Sequence, residues 1–118
     1  MVVTDFGKES TAALIGGSLV GSMAYMAIGS GSGTFSAATT GLVHEMDRNA
    51  LTSTDFSTVK QIEIIGDWGA SEISGISIRQ FGTFAISSGG KCWGGDGFPA
   101  VSFDGTNELQ IQMVVKVV

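Results

Sequence analysis

From Glu108 to Val118 an apolar residue recurs at every second position. Leu109, Ile111, Met113, Val115 and Val117 share one face, opposite Glu108, Gln110, Gln112 and Lys116. A period of two places successive side chains on opposite sides of an extended backbone, so this segment reads as a half-buried β-strand. Shorter stretches repeat the pattern from about Leu51 onward. Within Val59 to Ile65, Ile62 and Ile64 oppose Gln61 and Glu63. Ile76 and Ile78 alternate with Ser77 and Arg79, and Phe84 and Ile86 with Thr83, Ala85 and Ser87. Gly66-Asp67-Trp68-Gly69 breaks the first of these runs. Ser88-Gly89-Gly90 reads as a hairpin turn leading into Lys91-Cys92-Trp93. Gly94-Gly95-Asp96-Gly97 reads as a loop, Val101-Ser102-Phe103 as a short strand and Asp104-Gly105-Thr106-Asn107 as a strong turn. Short strands at intervals of about ten residues, separated by glycine turns, predict a mainly β chain, folded as an antiparallel β-sandwich or barrel-like domain.

The first third of the chain reads differently. Thr4 and Asp5 can cap a helix that runs through Ala12, Ala13, Leu14 and Ile15, and Gly16-Gly17 supplies its stop. One short N-terminal helix is therefore expected. Met23 to Ile28 then reads as an apolar strand and Gly29-Ser30-Gly31-Ser32-Gly33 as a loop. Ala37 to Arg48 has room for one or two helical turns around Leu42, Val43 and Met46. The stretch Ala12 to Ile28 imitates a membrane span, but at about 17 residues it sits at the lower limit for crossing a bilayer. It also carries Gly16, Gly17, Gly21, Ser18 and Ser22, and it lacks basic flanks. The start, MVVTDFGKE, has no positive bias of the kind a signal peptide needs. A membrane role is not expected.

Size and charge bound the partners. The chain has 118 residues, 43% of them hydrophobic, which suffices for one core, and residues 1–118 are expected to form a single domain. Six basic residues against eleven acidic ones leave a net charge of −5, without the basic footprint of a nucleic-acid binder. Only 14% of residues are charged, against roughly 25% in an average soluble domain. A surface this poor in charge predicts burial against further copies of the chain, as a homo-oligomer.

No constellation for catalysis or cofactor binding stands out. The glycine loop is followed by Thr34-Phe35-Ser36 and not by the lysine and hydroxyl residue of a phosphate cradle. The single His44 reads as solvated in a surface turn, with no nucleophile elbow anywhere. Asp67, Asp96 and Asp104 lie in predicted turns without calcium-loop spacing, where aspartates bond their own backbone. The single Cys92 reads as a buried thiol, and neither a disulfide nor a cysteine-based zinc site is available within the chain. No cofactor and no metal are expected. Among the aromatics, Trp68, Trp93 and Phe98 are the candidates for interface anchors, because loop aromatics are the usual hot spots of protein contacts.

Several segments together resemble the small β-rich virion proteins of tailed bacteriophages, of the minor structural or tail type. Thr4-Asp5-Phe6-Gly7-Lys8 is similar to that type's T-x-x-G-K-like helix start. Tyr25-Met26-Ala27-Ile28-Gly29-Ser30-Gly31 resembles its Y-I-A-I-G-x-G strand and loop. Thr40-Gly41-Leu42-Val43-His44-Glu45 with Arg48 resembles T-x-L-x-x-E followed by arginine. Ile78-Arg79-Gln80-Phe81-Gly82-Thr83-Phe84 resembles I-x-E-x-G-x-F, with Gln80 where the pattern has glutamate. The alternation of Leu109, Ile111 and Met113 completes the series. The resemblance implies a non-enzymatic virion structural protein, assembled in the host cytoplasm. It would work in multiple copies in the tail, at a tail-fibre attachment or as a capsid decoration subunit. Its implied partners are itself and other virion structural proteins. The alternative is a receptor- or carbohydrate-binding module at a tail tip, which needs Trp68 or Trp93 exposed.

Overall fold

The computed structural model describes residues 2–17 and 21–116. Its elements are β1 (Val2–Val3), α1 (Asp5–Ile15), β2 (Tyr25–Gly29), β3 (Glu45–Ala50), β4 (Ser53–Asp55), β5 (Gln61–Trp68), β6 (Ser77–Phe84), β7 (Gly94–Ser102) and β8 (Leu109–Lys116). The strands form a five-stranded sheet, ordered β1-β7-β6-β2-β3, and a three-stranded sheet, ordered β4-β5-β8. Every pairing is antiparallel. The expected mainly β class is thus found, with one short N-terminal helix and a sandwich-like arrangement. Met26 and Ile28 of β2 and Ile78 of β6 meet Ile64 and Trp68 of β5 and Met113 of β8, and Ile73 completes this core.

Local chemistry explains the elements. Thr4 caps α1 by accepting the Gly7 N–H at 3.1 Å. Its hydroxyl also reaches the Cys92 and Trp93 carbonyls, which ties the helix start to the start of β7. The helix stops where Gly17 turns left-handed, at φ 85. β2 is apolar throughout because the protein covers both of its faces. Met26 and Ile28 point between the sheets, whereas Ala27 joins Phe35, Phe84 and Cys92 in a second cluster beneath Val2, Tyr25 and Leu42. The run that imitates a membrane span is therefore part helix and part strand. No helix among the described residues is long and apolar enough to cross a membrane.

Several expected boundaries move. The glycine-rich segment Gly94-Gly95-Asp96-Gly97 is not a loop but the first part of β7. A Cβ at Gly95 would lie 2.1 Å from the Phe81 carbonyl oxygen and 2.8 Å from Phe35 Cζ, so glycine is required for close approach. Likewise β5 runs through Gly66 to Trp68 without a break, and a Cβ at Gly66 would lie 2.9 Å from Met26 Sδ. Asp67 and Asp96 consequently sit in strands, and only Asp104 keeps its predicted turn. The segments around Ile78 and Phe84 belong to the single strand β6. Val101-Ser102 closes β7. The expected helical turns at Ala37 to Arg48 are replaced by irregular backbone and the strand β3. β3 is an edge strand of sequence EMDRNA, held by its pairing with β2, so it carries no alternation for a sequence reading to find. The final strand is described to Lys116, and Val117 and Val118 lie outside the described residues.

Candidate functional site

Three segments that carry the resemblance meet at one place. Gln80 on β6 is 3% exposed. Its Oε1 accepts the Val43 N–H at 3.0 Å and its Nε2 donates to the Gly33 carbonyl at 3.4 Å. The amide thereby holds the glycine loop against the 40–45 segment. Gly31 lies so close to Val43 that a Cβ would come within 2.3 Å of Val43 Cγ1. Beside it Arg48, whose side chain is 5% exposed, forms a fork with Glu45, with Nη2–Oε1 at 2.6 Å and Nε–Oε2 at 3.1 Å. Arg48 Nη1 donates to the Ile86 and Gly89 carbonyls at 2.9 and 2.8 Å, and the guanidinium stacks 3.6 Å from the Phe84 ring. These groups spend their hydrogen bonds on one another and on backbone. The cluster is a fastening between β3, the glycine loop and the β6–β7 connection, with little capacity left for a ligand.

The other chemistry-bearing residues stay apart. His44 lies in an exposed turn with φ 52. The Asp104 carboxylate accepts the Thr106 N–H and hydroxyl at 3.0 and 2.6 Å, which holds its pKa below the ordinary carboxylate value. Asp67 accepts the Gln110 side-chain amide at 3.0 Å across β5 and β8, and Asp96 accepts the Gly97 N–H at 2.9 Å. Among the described residues no three His, Cys, Asp or Glu side chains gather as a metal site would require. Cys92 is buried, and desolvation pushes its thiol pKa up.

The aromatic anchors require a correction. Trp68 is 1% and Trp93 5% exposed. Trp68 belongs to the core between the sheets, and Trp93 lies edge-on to Phe6 of α1, with ring centroids 6.3 Å apart. Trp68 has no surface to offer a partner, Trp93 shows only a sliver at the floor of a cleft, and Phe98 is half-buried against the main core. The most exposed apolar side chains are others, Ile15 at 84%, Val59 at 82% and Phe56 at 72%, and Leu14 is exposed at 42%. Leu14 and Phe56 flank a cleft of about 380 Å³ floored by Met23, Ile62 and Trp93. Sequence reasoning missed them for a physical reason. Phe56 and Val59 sit in the polar connection TDFSTVK, where periodicity says nothing about exposure, and Leu14 and Ile15 look like the buried stripe of a helix. The chain matches no known family model and no curated protein.

Proposed function

We propose that the chain is a non-enzymatic structural subunit that works in multiple copies, and that its particle is the virion of a tailed bacteriophage. The observation that carries the multi-copy reading is the exposed apolar surface of Ile15, Phe56 and Val59, backed by Leu14. Covering such surface returns about 25 cal/mol per Å² of apolar area removed from water. A chain with only 14% charged residues has few groups that must stay hydrated or that repel a second copy. The virion reading is supported by the ordered series of segments that resemble phage structural proteins. It names other copies and other virion proteins as partners, in the tail, at a fibre attachment or on the capsid, with assembly in the host cytoplasm. The glycan-reading alternative loses its surface, because both tryptophans that would stack on a sugar are interior.

Two measurements test the proposal. Light scattering of the purified chain across micromolar concentrations should show an oligomer or polymer. Mass spectrometry of purified virions should find several copies per particle. A strict monomer that is also absent from virions overturns the reading.

A further inference from the structure

Resting on the multi-copy reading, we propose that the open edge of β8 pairs antiparallel with β8 of a second copy, about a twofold axis through Gln112. The two three-stranded sheets would then become one continuous sheet. A sheet edge displays unpaired N–H and C=O groups, and folded proteins blunt the edges they leave free. Among the described strands, three of the four sheet edges are blunted. β3 carries Glu45, Asp47 and Arg48, and its pairing shifts register between Ile28 and Gly29. β1 has only two residues, and the stretch of β7 beyond it contains Pro99, which has no N–H to offer. β4 has three residues and ends on Asp55. β8 has none of these devices. Its eight residues, LQIQMVVK, hold unbroken register with β5 from Trp68↔Leu109 to Gln61↔Lys116. They include no glycine, no proline and no internal charge. Among the described strands nothing pairs with the far edge.

The sequence also fixes the register. Residues directly opposite each other in an antiparallel pair lie on the same face. An axis through Gln112 sets Ile111 opposite the partner's Met113 and Leu109 opposite the partner's Val115, so the core-facing stripe continues across the boundary. The same axis sets Glu108 opposite the partner's Lys116, twice by symmetry. Neither charge has an ion-pair partner among the described residues. Moving the axis to Ile111 or Met113 keeps the faces but separates these charges, and an axis between residues sets the apolar stripe against the glutamines.

Cysteine cross-linking and charge exchange test this pairing. Gln112 is exposed, and Gln112→Cys should oxidise to a disulfide-linked dimer because each new thiol faces its own copy, while Cys92 is buried. Gln110→Cys, on the same face but opposite the partner's Val114, should stay uncross-linked. Glu108→Lys and Lys116→Glu should each weaken association about tenfold, and the double exchange should restore it. All four positions are exposed, so each variant should stay folded, with Gln110→Cys giving up only its exposed bond to Asp67. Failure of Gln112→Cys to cross-link, equal cross-linking of Gln110→Cys, or no rescue by the double exchange overturns the β8 pairing. If oligomers persist in light scattering after such a result, the multi-copy reading stands without it. A strict monomer absent from virions removes both.

Discussion

At the scale of single residues, Gln80 and Cys92 make opposite demands on their surroundings. Gln80 both accepts and donates, as a neutral amide can and a carboxylate at neutral pH cannot. Gln80→Glu would keep the acceptor for the Val43 N–H but face the Gly33 carbonyl with a carboxylate oxygen. The expected cost is about 1–3 kcal/mol at neutral pH. The buried carboxyl would have its pKa raised on folding, so the cost should shrink as pH falls and the acid regains a donor. Urea melts of both proteins at neutral and mildly acidic pH check the size and the sign. Cys92 asks only to stay neutral. Burial, partly offset by hydrogen bonds with the Thr83 and Gly94 backbone, raises its pKa. At neutral pH the native thiol should resist alkylation, and one thiol per chain should react once denaturant is added. Because the folded value is the higher one, this group's contribution to stability is complete below the ordinary thiol pKa. It is lost as pH rises through the folded value. A native thiol that alkylates as fast as a free one would contradict the burial.

At the scale of elements, β7 and β8 show why backbone space matters as much as apolar pattern. Gly95→Ala should destabilise by about 1–3 kcal/mol, since its Cβ has nowhere to go between the Phe81 carbonyl and the Phe35 ring. Met113→Asp places an unpaired carboxylate at a position only 3% exposed, between the sheets. It should cost several kcal/mol, about 3 or more, and abolish cooperative melting if the native stability is ordinary. Chemical denaturation followed by tryptophan fluorescence reads both. The two strands also differ in how much of them could be read beforehand. β8 was legible because one face is buried and the other wet, which writes a period of two into Leu109, Ile111, Met113 and Val115. β7 was not, because its glycines answer to a neighbouring carbonyl and ring that no local window contains. β3 was hidden for a third reason: its residues EMDRNA show no apolar alternation, and its one deeply buried side chain, Arg48, is a charged group whose burial rests on Glu45, distant carbonyls and the Phe84 ring. The candidate site was the least legible part. Aromatic type drew attention to Trp68 and Trp93, whereas exposure, a property of the folded chain, falls on Phe56 and Val59.

At the scale of the whole molecule, Phe56 and Val59 lie outside β8, so they can be changed without altering the strand's own edge. Phe56→Ser combined with Val59→Ser should lower self-association while leaving the melting temperature within a few degrees, because neither side chain supports the core. Sedimentation beside a thermal melt tests this, and unchanged association would take Phe56 and Val59 out of the contact. The strand order has a further consequence, for the birth of the chain. β1 waits for β7, β2 waits for β6, and β5 waits for β8. Neither sheet can close while the ribosome is still making the second half. The nascent chain must hold the apolar faces of β2 and β5 open until β8 emerges, within reach of chaperones. It should then fold over about milliseconds to seconds, the pace of topologies built on distant pairings.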